Sequence, residues 1–400
     1  MKMLLKNLGI TTLSLGMITF CLPQFSVHAK ASDVKLEIED NSTKFTATSL
    51  ESNNTTIGLI SSKQDIDYYK YVVDQSGYFS FQFENVSGSS NVGYGWTWHI
   101  YDESLNELWS NSVTTSSTSY TYDFEVGTVL YLMVESTYHF DSVDNMFYTL
   151  TVSASKDSSW EQEQNGSKNT ATNLKSNQKL YGNIYQKDDI DYYKYVVDVT
   201  GYFNFTFENE SETNGSGSGW NLTVYDSSLN ELESITGIGT KKVSKTYNFK
   251  KDTVLYIKIE STYHYADVNG ITYSLLAEAK KSSKWEWEGF DSFSKIISIK
   301  HKSKIHGTSH SANDKDCYKY KATKKSNAKV TFDFDSDDVG YGWDITIYNS
   351  SKQEIKTLNG VTSKKTISWN TSKGSTYYIV IQPSYANSIP EDVTYTLKVK

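Results

Sequence analysis

The stretch "DIDYYKYVVD" occupies Asp65–Asp74 and recurs unchanged at Asp189–Asp198, and a worn copy, "DKDCYKYKAT", begins at Asp314. The worn copy sorts the two faces of a strand. Tyr69, Tyr71 and Val73 become Tyr318, Tyr320 and Ala322, whereas Tyr68, Lys70 and Val72 become Cys317, Lys319 and Lys321. Alternate residues of a strand point to opposite sides. A side that accepts two lysines is the wet one, because burying an unpaired ammonium is costly. Tyr69, Tyr71 and their counterparts are therefore expected in the core.

The repetition extends well beyond these ten residues. "WTWHIYDESLNEL" at Trp96 matches "WNLTVYDSSLNEL" at Trp220, and "VLYLMVESTYHF" at Val129 matches "VLYIKIESTYHY" at Val254. The third copy keeps "GYGWDITIY" around Trp343 and "TYYIVIQPSY" near its end. A period this long is that of a domain, not of a solenoid repeat. Polar stretches before Trp160 and Trp285 mark the boundaries. The division expected is 1–31 leader, 32–156 first unit, 157–281 second and 282–400 a divergent third.

Each unit reads as all-β. Tyr, Val, Thr, Phe and Trp fill the strands, while Asn, Gly, Ser and Asp fill the turns. Phe79, Phe81 and Phe83 alternate on one face, as do Trp96, Trp98 and Ile100, then Leu130, Leu132 and Val134, then Tyr148, Leu150 and Val152. Several half-buried strands at short spacing predict a β-sandwich.

The N-terminus reads as a secretory signal, with Lys2 and Lys6, an apolar stretch, and small residues before cleavage at Ala29 or Ala31. The expectation is a secreted, extracellular or surface-associated chain without a membrane span. Once Cys21 leaves, Cys317 is the one remaining thiol, so no internal disulfide can form. Stability must come from the core or from a bound metal.

Charge narrows the partners. The net charge is −8, and all 39 Lys+Arg are lysine. An acidic chain without arginine is a poor nucleic-acid binder. The charge is uneven: residues 33–157 carry 5 Lys against 18 acids, and residues 281–400 carry 19 against 13. The basic third unit is suited to an anionic cell-envelope polymer, although drift of a solvated surface would give the same imbalance.

Each unit opens on two glutamates two residues apart: Glu37/Glu39, Glu161/Glu163 and Glu286/Glu288. Asn41 and Asn165 follow, with Asp291 close by in the third. The pairs Asp65/Asp67, Asp189/Asp191 and Asp314/Asp316 come later. Carboxylate and amide oxygens without recurring His or Cys suit Ca²⁺ rather than zinc. The plainer alternative is that the aspartates cap the turn before a strand and the glutamates are solvated.

The pattern Glu161-x-Glu163-x-Asn165, then Gly182-Asn183-Ile184, then "DIDYYKY" resembles the bacterial pre-peptidase C-terminal domain family. The resemblance spans three tandem copies. It implies jelly-roll-like β-sandwiches, usually appended to secreted proteases, whose collagen-binding members hold calcium. By that resemblance, Glu37, Glu39, Asn41, Asp65 and Asp67 would be ligands in the first unit. Glu161, Glu163, Asn165, Asp189 and Asp191 would be so in the second. In the third, Glu286, Glu288, Asp291, Asp314 and Asp316 remain, but Phe290 breaks the pattern.

No nucleophile, zinc or phosphate-loop motif appears, and no stretch is left over for a catalytic domain. A non-catalytic binding protein is expected, directed at a polysaccharide or a fibrous protein such as collagen. A calcium-dependent spacer or surface-layer component, or an accessory subunit of a secreted protease, are the alternatives. Tyr94, Tyr138, Tyr263, Tyr341 and Tyr385 recur next to core strands and are the candidate ligand platform, unless they pack on their own domain.

Overall fold

The computed structural model describes residues 34–88, 91–139, 143–210, 218–264, 268–289, 292–309, 314–334, 340–385 and 393–400. The expected signal segment and Asp291 lie outside them.

Six sheets form three face-to-face pairs. In the first pair, one sheet orders Val34–Leu36, Thr55–Ile60, Met146–Lys156, Gly77–Asn85 and Ser116–Thr118. The other orders Thr48–Ser49, Ile66–Val72, Val129–Ser136, Trp96–Tyr101 and Glu107–Val113. From Thr55 to Tyr101 successive strands alternate between the sheets, which is the interleaved path of a jelly-roll-like sandwich. The second and third pairs repeat this plan. The all-β, jelly-roll-like sandwich reading holds.

The strand faces follow the period-2 pattern. Tyr69, Tyr71, Phe81, Phe83, Trp96, Trp98, Leu130, Leu132 and Val134 are fully or almost fully buried. Strand Ile66–Val72 pairs antiparallel with Val129–Ser136, setting Tyr69 opposite Leu132 and Tyr71 opposite Leu130. Burying such a ring is worth about 2–3 kcal/mol, so a one-residue slip would be prohibitive. One expectation fails on the third copy: Cys317, placed on the wet face, is buried. That face is therefore wet at Lys319 and Lys321 and dry at Cys317.

The units join end to end. Asp67 begins its strand at the end where Ile66 pairs with Glu135. The opposite end, where Gly77 pairs with Lys156, faces the next unit. There Trp160 stacks on Tyr78 of the preceding unit at 4.7 Å between centroids and on Tyr181 of its own at 6.0 Å. Trp285 repeats the arrangement with Tyr202 at 4.4 Å and His306 at 5.5 Å. Each linker also pairs with its own unit: Tyr181 N–H donates to Ser159 O at 2.7 Å, and His306 N–H donates to Lys284 O at 2.7 Å. The tryptophans thus turn short linkers into packed seams.

Candidate metal centre

The second unit shows the site most fully. Glu161, Glu163, Asn165, Asp189 and Asp191 are all buried, with exposures of 0, 2, 0, 7 and 0%. Asp191 lies on the inward side of its strand, two residues before Tyr193, so the pleat that buries the tyrosine buries the carboxylate. Glu161 arrives from the linker, and its Oε1 accepts the Asn183 N–H at 3.0 Å. A Cβ at Gly182 would overlap this carboxylate, which is why the chain carries glycine there.

A tyrosine pair ties the two acids together. Tyr193 OH donates to Glu161 Oε2, Tyr193 and Tyr273 hydroxyls meet at 2.6 Å, and Tyr273 OH donates to Asp191 Oδ2 at 2.5 Å. Tyr69, Tyr148, Glu37 and Asp67 repeat this in the first unit, and Tyr318, Tyr395, Glu286 and Asp316 in the third. Three oxygen–oxygen contacts share two phenolic protons. With every carboxylate ionised, one contact lacks a proton, so without a bound cation the network favours a protonated carboxyl.

Burial drives the same way. Desolvation first, and then the neighbouring carboxylates, raise Asp191 and Glu163 well above the ordinary acid range. Asp67 is raised by burial and by Glu37, and Glu37 by burial. In the second unit no lysine pairs with these acids among the described residues. A cluster of buried carboxylates without counter-charge costs several kcal/mol per ion.

The remaining lone pairs fit a hard cation. Asn165 Nδ2 donates to Glu161 Oε2 at 2.7 Å, while Asn165 Oδ1, Asp191 Oδ1 and Glu163 Oε1 are buried and have no hydrogen-bond partner. In the first unit the Asn41 side-chain oxygen faces Glu39 Oε2 at 3.2 Å and Asp67 Oδ1 at 3.0 Å. Two chemistries satisfy that contact: the amide turns to donate, or a cation lies between the oxygens. Oxygens about 2.4 Å from one calcium ion lie at most about 4.8 Å apart. The oxygens of Glu37, Glu39 and Asp67 fall within 4.8 Å of one another, as do those of Glu163, Asp189 and Asp191. The donor set therefore fits calcium.

The expected residues are not all equivalent. Asp65 Oδ2 accepts the Ser61 N–H at 2.6 Å and Asp189 Oδ2 accepts the Tyr185 N–H at 3.0 Å, so both cap the turn before their strand. Asp189 also reaches the acid triad; Asp65 does not. In the third unit Glu286, Asp314 and Asp316 are buried, but no three acids among its described residues come so close.

Sequence reasoning missed Asp123. It belongs to the first unit yet places a carboxylate oxygen within 4.8 Å of Glu161 and Glu163 of the second. The available signal was the match of "TYDF" at Tyr122 to "TYNF" at Tyr247, an acid aligned with an amide.

The five candidate tyrosines are exposed: Tyr94 59%, Tyr138 72%, Tyr263 74%, Tyr341 64% and Tyr385 65%. Tyr94 and Tyr138 meet edge to face at 5.4 Å, and Tyr341 and Tyr385 meet at 5.1 Å with planes inclined 64°. Ser218 replaces the first member in the second unit. Tyr138 and Tyr263 both hold φ 59°, a left-handed backbone that is strained for a bulky residue.

No family model and no curated protein matches the chain. Solved structures with some likeness include the pre-peptidase C-terminal domain of collagenase from Bacillus anthracis. It is 18% identical over 26% of this chain and 94% of that one, with a TM-score of 0.22. Tandem CBM51 modules of a family 98 glycoside hydrolase from Streptococcus pneumoniae are 10% identical over 55% and 83%, with a TM-score of 0.19. A triple jelly roll of an archaeal virus is 8% identical over 88% and 96%, with a TM-score of 0.20.

Proposed function

We propose that this chain is a secreted, non-catalytic binding protein built of calcium-stabilised β-sandwich units. Its target is a polysaccharide or a fibrous protein such as collagen. The observation that carries this reading is the pair of exposed tyrosine platforms, Tyr94–Tyr138 and Tyr341–Tyr385. Flat amphipathic rings stack on sugar faces or lie along a fibre at low entropic cost. Tyr138 keeps a costly backbone conformation while 72% exposed, where it does little for the core. Such strain is favoured where it serves recognition.

The cation reading rests on the buried donor set, since clustered buried acids call for a counter-charge. At the far end of the third unit, His301, Lys302, Lys324, Lys398 and Lys400 line one cleft. That concentration of positive charge favours an anionic envelope polymer as a second contact.

The test is sedimentation of the chain with collagen, cellulose, chitin and isolated cell walls, in calcium and in chelator. Binding to one of these, lost in a Tyr94→Ala/Tyr138→Ala variant with an unchanged melting temperature, supports the reading. Failure to bind any of them refutes it and favours the spacer, for which the stacked seams at Trp160 and Trp285 speak.

A further inference from the structure

The seam between the first and second units contains a buried acid from each side. Asp123 is 1% exposed, and neither of its carboxylate oxygens has a hydrogen-bond partner. Its main chain is fixed: Asp123 O accepts the Glu163 N–H at 3.1 Å, and Phe124 bridges to Glu163 in parallel. Phe124 packs edge-on against Tyr185 at 5.2 Å, holding the segment against the second unit. The side chain is thus delivered by one domain into the acid cluster of the next.

The three copies of this position behave differently, and the difference tracks the seam. Asp123 and Asn248 each precede another unit and are buried, whereas Asn370 in the third unit is exposed. Asn248 O accepts the Glu288 N–H at 3.1 Å, the same backbone contact as at the first seam. There the side chain is a neutral amide, whose Oδ1 accepts a hydrogen bond from Thr308 Oγ1 at 3.0 Å. That hydrogen bond ties the second seam across its two units. The first seam places a fifth carboxylate beside Glu161, Glu163, Asp189 and Asp191. Asn183, at the position of Thr308, is 0% exposed and has no partner for either amide atom.

A fifth unpaired carboxylate would destabilise a seam that held nothing, because a buried uncompensated charge is strongly unfavourable. With a divalent cation the same residue becomes a ligand. We propose that the second acidic site is shared between two units, with Asp123 of the first serving as a calcium ligand beside Glu161 and Glu163 of the second. Resting on the calcium reading above, this makes the cation a clamp on the first seam. The second seam carries the amide of Asn248 in place of that carboxylate.

The test is calcium titration calorimetry on the full chain and on Asp123→Asn, with hydrogen exchange at Glu163 as the local readout. The amide is a tolerated side chain at this position, because Asn248 occupies it at the other seam. Asp123→Asn should weaken one class of sites at least 10-fold and leave the others unchanged. The Glu163 amide should exchange slowly in the calcium-loaded wild type and faster in both chelator and Asp123→Asn. If the wild type binds calcium and Asp123→Asn binds it with the same affinities and protection, the shared site is wrong while the calcium reading stands. If the wild type binds no calcium, both fall.

Discussion

Replacing Asp67 by asparagine should have opposite effects with and without calcium. Its Oδ2 accepts the Tyr148 hydroxyl at 2.6 Å, and the strand pleat buries it completely. Asparagine keeps an acceptor for that hydroxyl, so the loss is the difference between a charge-assisted and a neutral hydrogen bond, about 1 kcal/mol. The gain is removal of a buried carboxyl that repels Glu37 and Glu39, a penalty of several kcal/mol partly relieved by protonation. The metal-free variant should therefore be about 1–2 kcal/mol more stable, melting about 4–8 °C higher for a unit of this size. Calcium reverses the order. At 100 times its Kd, calcium stabilises the wild type by about 2.7 kcal/mol, or about 11 °C. A ligand loss that weakens affinity about 100-fold leaves roughly 0.4 kcal/mol, or about 2 °C. Scanning calorimetry in chelator and in excess calcium measures both. A variant that melts below the wild type in chelator, yet keeps the full calcium shift, would refute the reasoning and make Asp67 a structural acceptor.

Three further outcomes are expected. Gly182→Ala should destabilise the second unit by about 3 kcal/mol or more, because its Cβ would overlap the Glu161 carboxylate and approach the Tyr193 hydroxyl; denaturant titration reads the loss. Asn248→Asp should create at the second seam a carboxylate like Asp123, lowering stability in chelator and raising calcium affinity in calorimetry. His99 is depressed by burial, but Glu135 and Glu107 outweigh that and raise it above its ordinary value, with Nδ1 2.7 Å from Glu107 Oε2. A raised histidine contributes stability that is full below the unfolded pKa and is lost as pH rises through the folded one. His99→Gln should therefore flatten the fall in melting temperature above about pH 6.5, an effect of under about 1 kcal/mol.

The core was legible because substitution between copies reports on faces. Lys319 and Lys321 marked the wet side of one strand, and Tyr69 and Tyr71 are buried as that implied. Cys317 broke the rule because a free thiol behaves as a small hydrophobe and is readily buried beside lysines that are not. The glutamate and aspartate spacing brought together the acids of the second unit, since the pleat places Asp191 and Tyr193 on one side. The hydroxyl roles of Tyr148, Tyr273 and Tyr395 were hidden, because apolar alternation says where a ring lies but not what its oxygen meets. Asp123 was hidden for a different reason: its partners lie in another domain, and a seam between domains leaves no periodic trace in either.

The middle unit carries Ser218 at the position of Tyr94, while Tyr263 keeps that of Tyr138. Its neighbours on either side each present two rings. On the binding reading proposed above, the middle sandwich, with Trp160 and Trp285 packed at its joints, would act as a ruler that sets the spacing of two grips on one rod. A flexible string would accept targets of any pitch, while a stiff one rewards those whose own repeat is commensurate with the ruler. Target choice then becomes a matter of period as well as of surface chemistry.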